Sequence, residues 1–548
     1  MTYEPKGAQQ TVIETDAPVA VVLGGAGTGK TTTAAAAAAA QLRASDAARA
    51  ELRRAQLISA AKIALPAPTR VLFVSFSRTA AAQVIDRAGS VVGPLLDRID
   101  VVTFDGFAWR VINDFGAGYG FPSPLRIISE SESRVPGHPD GMRYRDLIPA
   151  AMRVLANPTV AGYYARRYSL VICDEFQDTD DEEWNFLEQI AVPARRILLG
   201  DSNQCIYADM KQIDPDRRVA EALALRGAVQ IQLPPASHRD PSGVLPAAAE
   251  AARERRFDDV AIAEAVKQQR LLVTRTTAGS AFSEVADLVQ AEREASRTVA
   301  VFTHSNAATS ELSDALSAIG VRHEQVGLSE ALGEALRAQL ALLRFALGGR
   351  GGRRELAVFV ASNHRRHAPL VDQIVNRSNE VFEQQLRTLA VELRGAATPF
   401  DPQRLGSIIA GAYAGLGKNR GQQAWVEAAR RTCAAMSGMD GPDDLAGVEE
   451  QLELARHRSL IGDAGLRPHP VQVMNLHQTK GREADATILL LQDDEFHGYE
   501  GPPYPKLSRL LYVVMTRARE RAHLAVPARV HPLWLPLVQA CESAAPAR

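Results

Sequence analysis

The chain has 548 residues, of which 46% are hydrophobic and 23% charged, with a formal net charge of −2. That length and balance exclude a disordered or fibrous chain and call for several globular domains, and the near-neutral charge excludes a protein that coats nucleic acid by charge alone. No apolar run is long enough to span a membrane, the four cysteines (Cys173, Cys205, Cys433, Cys541) lack metal-ligand spacing, and MTYEPKGAQQ carries no basic-then-apolar leader, so a cytoplasmic protein without zinc or disulfides is expected.

In chain order, Gln9 or Gln10 precedes the first strand by about one helix. A glutamine there can read an adenine edge, although an ordinary surface glutamine is the plainer reading. Val19 to Leu23 is a buried strand by its β-branched apolar run, and it breaks into Gly24-Gly25-Ala26-Gly27-Thr28-Gly29-Lys30-Thr31, which satisfies G-x-x-x-x-G-K-[ST]. Seven alanines follow Thr33 and predict a helix. In that context the glycines let backbone N–H groups converge on phosphates, Lys30 reaches the β- and γ-phosphates, and Thr31 can hold Mg²⁺. Residues 45–64 read as an extended, solvated continuation of this helix.

Arg70–Val74 is a second strand leading into Ser75-Phe76-Ser77, and Asp100–Phe104 is a third, with Thr103 near its end. Small polar residues beside an aromatic at such ends suit ligand contact at the carboxyl edge of a parallel sheet, while Phe76 and Phe107 fit a core equally well. Residues 111–167 are interrupted by Gly and Pro and show no clear strand. Tyr168–Cys173 is a buried strand ending in Asp174-Glu175-Phe176-Gln177-Asp178. Facing a phosphate loop, Asp174 can hold Mg²⁺ through its water shell and Glu175 can orient and deprotonate an attacking water. An acidic helix cap accounts for one carboxylate but not for the cluster.

Arg196–Leu199 is a strand followed by Gly200-Asp201 and Ser202-Asn203-Gln204-Cys205-Ile206-Tyr207; Val229–Leu233 leads to Ser237-His238-Arg239. The design then restarts weakly: Thr298–Phe302 with Thr303-His304-Ser305-Asn306 repeats the pattern of 70–81. Residues 328–465 are mostly helical, with loops at Gly349–Gly352 and Gly415–Gly421. The strand Val471–Leu476 precedes His477-Gln478-Thr479-Lys480-Gly481-Arg482-Glu483, Ala486–Leu491 is a strand, Leu507–Arg519 an apolar-striped helix, and Ala522–Val526 a final strand.

GGAGTGKT, VSFSRTAA, VTFDGFA, DEFQD, GDSNQCIY, SHR, VMNLHQTKGRE and LLYVVMTRAR, in that order, resemble the motif series of UvrD/Rep-like superfamily 1 DNA helicases over nearly the whole chain. The resemblance implies an α/β fold with two RecA-like parallel-sheet domains, 1–110 with 165–233 and 234–327 with 466–548, interrupted by a short insertion (111–164) and a helical one (328–465). It implies ATP and Mg²⁺ between the domains and single-stranded DNA, or DNA with a 3′ single-stranded tail, across their tops. Carried over residue by residue, Gln9 and Gly25 to Thr32 would bind nucleotide, Thr31 and Asp174 the metal, and Glu483 the ribose. Glu175 would be the base, Lys30 a phosphate ligand, Gln204 the γ-phosphate sensor, and Arg239 and Arg517 arginine fingers. Phe76, Thr103, Tyr207 and His477 would contact DNA, the aromatics by sequence-tolerant stacking.

The chain departs from the family at four places: Thr32 where an arginine is frequent, His238 for a tyrosine that sandwiches adenine, Asp209 for a stacking tryptophan, and Asp105 for a histidine. Weaker adenine stacking, looser ATP selectivity and one lost base platform are the implied consequences. The function so implied is an ATP-dependent 3′–5′ helicase or translocase. The alternative is a motor subunit with weak unwinding alone, like the helicase partner of a nuclease in Gabija-type phage defence; a P-loop switch without translocation is disfavoured by the paired arginines.

Overall fold

Short runs rich in Val, Ile and Leu, buried on both faces, build the central strands of the first sheet, as a parallel sheet covered by helices requires. In the computed structural model its strands are β1 (Val19–Leu23), β2 (Arg70–Ser75) and β3 (Ile99–Thr103). After a separate two-residue parallel pair, β4 (Ile127–Ile128) and β5 (Met142–Arg143), come β6 (Tyr168–Asp174), β7 (Arg195–Gly200) and β8 (Ala228–Gln232). The order is β3-β2-β6-β7-β1-β8, with parallel pairing throughout. The second sheet takes β9 (Leu271–Arg275), β10 (Val299–Thr303), β11 (Glu324–Gln325), β12 (Val471–Asn475), β13 (Ala484–Leu490) and β14 (Ala518–Val526), in the order β11-β12-β10-β13-β14-β9, again all parallel. Two parallel six-stranded sheets with helical insertions are the expected α/β architecture of two RecA-like domains. The structure describes residues 4–59, 67–75, 91–128, 141–191, 194–206, 213–326, 329–347, 352–362, 367–412, 422–437, 447–452, 469–493 and 500–545, with isolated positions between them.

Both sheets belong to one compact unit, Met1–Val111 with Ile148–Val326 and Ala464–Arg548. The other unit comprises Ile112–Leu147 and Gly327–Asp463. Its helices pack around Trp425, whose indole N–H donates to the Ile409 carbonyl at 2.6 Å, while the Gln339 amide donates to the Trp425 carbonyl at 2.8 Å. Of the two loops read in 328–465, Gly415–Gly421 lies outside the described residues, as does all of Gly349–Gly352 but Gly352. Residues 148–164, read as part of the first insertion, lie in the unit that holds the sheets. They form the end of the helix Tyr144–Leu155 and most of the helix Pro158–Arg167, where Tyr164 meets Phe107 and Tyr168 in the core.

Two further differences from the sequence reading have local causes. The helix expected to run from Leu507 to Arg519 spans only Ser508–Thr516: the Thr516 hydroxyl bonds back to the Tyr512 carbonyl, Arg517 caps the end, and β14 starts at Ala518. β4 and β5, inside the stretch 111–167 read as having no clear strand, and β9 and β11 have no counterpart in the sequence reading, β4, β5 and β11 because two residues carry no period. The helix after the phosphate loop is a single element of thirty residues, Lys30–Ser59. Its alanine-rich first turns are buried, with Ala34, Ala37 and Ala38 at 0% exposure, and its later turns are largely exposed.

At the amino ends of β2, β3 and β6, one buried carboxylate ties three strands together. Asp100 accepts from Arg70 at 2.5 Å and from the Tyr168 hydroxyl at 2.7 Å, with Arg110 at 3.4 Å and Arg167 at 3.5 Å. Burial alone would raise its pKa, but the Arg70 and Tyr168 hydrogen bonds and the nearby guanidinium charges outweigh that and hold it below the ordinary 3.8. Replacing Asp100 by Ala is expected to lower the unfolding free energy by about 2–4 kcal/mol, measured by urea titration. Because the folded-state pKa is depressed, the carboxylate's contribution is complete above the unfolded-state pKa and is lost as pH falls through the folded value. The stability gap between wild type and Asp100→Asn should therefore narrow on acidification below about pH 4.

Candidate functional site

β1 delivers the phosphate loop at its carboxyl end, and β6, one strand removed across β7, delivers Asp174 and Glu175 at the same edge. Gly27 and Gly29 adopt φ of +77° and +86°, which side chains with a Cβ rarely adopt. Space is closed there too: a Cβ on Gly27 would lie 2.3 Å from the Ser237 hydroxyl oxygen, and one on Gly29 would lie 3.1 Å from the Gln9 side-chain nitrogen and 3.4 Å from the His238 ring. The Lys30 ammonium turns back onto the Gly24 and Gly25 carbonyls. Gln9, 7% exposed, points its amide toward the Thr28 carbonyl at 3.5 Å, and the His238 N–H donates to the Gly27 carbonyl at 2.7 Å.

A cleft of about 410 Å³ lies between the two sheets. Ala26 to Thr32, Asp174, Glu175 and Gln204 line one side; His238, Arg239, Gly481, Glu483, Arg517 and Arg519 line the other. The size suits a nucleotide-sized ligand. The Thr31 hydroxyl donates to the Asp174 carboxylate at 3.1 Å, and the other Asp174 oxygen accepts the Glu175 N–H at 3.1 Å. This paired hydroxyl and carboxylate is a hard-oxygen donor set that fits Mg²⁺ rather than a softer metal. Glu175 sits in the left-handed region at φ 56°, ψ 40° and accepts from the Gln177 amide at 2.7 Å. Burial would raise its pKa, yet the Lys480 and Lys30 ammonium groups, the Gln177 amide and Arg517 outweigh burial and hold it below the ordinary glutamate value. It therefore remains an anion that can accept a proton.

Arg517 is 2% exposed and donates to the side-chain oxygen of Gln204 at 2.6 Å; the side-chain amide nitrogen of Gln204 in turn donates to Asp201 at 2.7 Å. Burial, with Arg239 beside it, pulls Arg517 down to about 10 against the opposing pull of Glu175 and Glu483. Its Nε has no hydrogen-bond partner among the described residues, which leaves a buried donor available to an anion. Arg239 donates to Glu483 at 2.7 Å and to the Thr516 carbonyl, and Arg519 donates to the other Glu483 oxygen at 2.7 Å. Glu483, read from the resemblance as a ribose ligand, is thus held between two guanidinium groups.

The structure accordingly brings Ala26 to Thr32, Asp174, Glu175, Gln204, Arg239, Glu483 and Arg517 around one cleft, while Gly25 and Gln9 lie behind the phosphate loop against Lys30 and Thr28 and do not line it. Thr103 and His477 lie elsewhere, each at the carboxyl end of a strand: the Thr103 hydroxyl accepts the Gly106 N–H at 3.0 Å, and His477 occupies the turn after β12, where burial, with His304 nearby, lowers its pKa. Phe76, Tyr207 and Asp209 fall outside the described residues.

Sequence reasoning misses three participants. The Tyr512 hydroxyl accepts the Ala26 N–H of the phosphate loop at 3.2 Å, and burial raises its pKa. The apolar stripe of its helix hides it, although a phenol in such a stripe needs a polar partner when buried. Arg519 reads in the sequence only as the helix end. Lys480, 2% exposed and paired with Asp178, is pulled down to about 7 by burial, with Glu175 opposing.

The fold and cleft define a phosphate-loop protein with two RecA-like sheets. Residues 6–137 and 140–209 match the family described as UvrD/REP helicase N-terminal domain. The match covers the first sheet's part of the chain, which is similar to that helicase domain. Two curated relatives from two strains of Streptococcus thermophilus, each named as an ATP-dependent helicase/nuclease subunit, are 37% identical over 73 residues; the match covers 13% of this chain and 6% of each relative's length. A solved Pif1 helicase from Candida albicans aligns with a TM-score of 0.28 and 13% identity over 53% of this chain and 55% of that one. Among the described residues no helix is long and apolar enough to cross a membrane.

Gly27→Ala, which forces a Cβ into the Ser237 hydroxyl at a positive φ, is expected to weaken Mg-ATP binding at least about tenfold while far-UV circular dichroism stays unchanged. A nucleotide titration followed by fluorescence checks it.

Proposed function

We propose that the chain is an ATP-dependent DNA helicase or translocase that moves 3′ to 5′ on single-stranded DNA and works in the cytoplasm. The observation that carries this reading is the 2.6 Å contact between Arg517, just before β14, and Gln204, after β7, with Glu175 lining the same cleft. Groups from both sheets meet where a phosphoryl transfer needs a base and a charge-stabilising arginine. In this reading the phosphate loop and Lys30 hold the triphosphate, Glu175 takes the proton of the attacking water, and Gln204 senses the γ-phosphate. Arg239 and Arg517 offset charge in the transition state, and Gln9 and Glu483 address base and ribose. Mg²⁺, held by Thr31 and Asp174, would screen the phosphate charge. Thr103 and His477, with Phe76 and Tyr207, would meet the DNA strand. The direction of travel rests on the family alone. A second reading, a motor subunit working beside a nuclease, draws on the helicase/nuclease name of the relatives that share the 73-residue stretch.

ATP hydrolysis by the purified chain is expected to rise tenfold or more with single-stranded DNA, equivalent to at least roughly 1.4 kcal/mol off the barrier. Glu175→Gln should retain ATP binding and lose at least about 100-fold in turnover, and Arg517→Ala should lose a similar factor. Duplexes with 3′ or 5′ tails test direction, and preference for a 5′ tail would overturn it. Hydrolysis indifferent to DNA would remove the translocase reading. Unwinding that appears only with an added nuclease would favour the second reading.

A further inference from the structure

One buried ion pair joins the two sheets, and beyond the charge that Lys480 places near Glu175 the mechanism above gives it no role. The Lys480 ammonium contacts the Asp178 carboxylate; their side chains are 2% and 0% exposed. Lys480 follows β12 in the turn that also carries His477 and Glu483, whereas Asp178 follows Glu175 by three positions on the first sheet. The oxygen of Asp178 that meets Lys480 also accepts the Gln177 amide at 3.2 Å, and the same amide nitrogen donates to Glu175 at 2.7 Å. The other end of that amide is pinned as well, since the Gln177 carbonyl oxygen accepts the Asp201 N–H at 3.1 Å. A glutamine fixed at both ends transmits the position of its neighbours instead of absorbing it.

The turn on the other side is equally constrained. The Asn475 side chain accepts the Gln478 N–H at 3.1 Å, the Gln478 side chain accepts the Asn475 N–H at 3.0 Å, and the Thr479 hydroxyl donates to the Leu476 carbonyl at 2.8 Å. His477 and Lys480 are therefore parts of one braced turn, and a displacement at the histidine moves the lysine with it. We propose that Lys480 is a positioning residue that, through Asp178 and Gln177, makes the orientation of Glu175 depend on what occupies the His477 turn. This rests on the proposed function, in which DNA is that occupant. Glu483, at the end of the same segment, holds Arg239, so a single movement reaches both the base and an arginine.

The test measures kcat and KM for ATP with and without single-stranded DNA, together with DNA affinity, for wild type, Lys480→Met, Lys480→Arg, Asp178→Asn and the Lys480→Met/Asp178→Asn pair. The ratio of DNA-stimulated to DNA-free kcat is expected to fall at least about tenfold in Lys480→Met and in Asp178→Asn, with KM and DNA affinity within about threefold of wild type. The pair should be no worse than the poorer single variant, because both act on one path, and Lys480→Arg should recover part of the ratio. Equal losses with and without DNA, additive losses in the pair, or an unchanged ratio would overturn the inference. If Lys480→Met fails to fold because it strands a buried carboxylate, the pair, which strands none, decides: a wild-type ratio there overturns the proposal and a collapsed ratio supports it. A wild-type chain without DNA stimulation would instead overturn the proposed function, and this inference with it.

Discussion

The cleft depends on keeping a carboxylate charged in a half-buried place. An isolated anion at that depth is costly enough to pick up a proton. Glu175 stays anionic because cations arrive from two directions: Lys30 from the phosphate loop, and Lys480 and Arg517 from the second sheet. Neither sheet alone supplies the environment. The first provides the acid, its hydrogen-bonding glutamine and one lysine; the second provides the remaining positive charge. Opening the cleft would remove two of the three cations and return Glu175 toward the behaviour of an ordinary glutamate.

The arginines show the converse constraint. Arg239 lies close enough to disfavour the charge on Arg517, which is itself enclosed. Glu483 offsets part of this repulsion through its bonds to Arg239 and Arg519. What remains is a concentration of positive charge in a confined space, with one buried guanidinium N–H uncommitted among the described residues. A polyanion entering the cleft relieves that excess, so binding energy is concentrated where charge develops during phosphoryl transfer. The Tyr512 hydroxyl on the Ala26 N–H adds a neutral contact between the helix preceding Arg517 and the phosphate loop.

Much of this is legible in the residues. Glycine and carboxylate clusters after β-branched runs locate the carboxyl ends of β1 and β6, because a buried parallel strand can carry such residues only where it leaves the core. The details that escape share a cause: they depend on partners distant in sequence. Nothing near Lys480 indicates that it pairs with Asp178, 302 positions away. Nothing near Tyr512 indicates a bond to Ala26, 486 positions away. β9 is defined by its pairing with β14 rather than by its own period. The helix ending at Thr516 reads too long in the sequence because Arg517, Ala518 and Arg519 are good helix formers and no glycine or proline marks the stop.

The thirty-residue helix that begins at Lys30 has a mechanical consequence. At 1.5 Å per residue it is about 45 Å long, so a tilt of about 5° at its base displaces its tip by roughly 4 Å. Its first turns are clamped by the core, and its later turns are largely free of it. The helix is a pointer rooted in the phosphate loop. A rigid rotation of its ATP-binding end would be enlarged at the far tip.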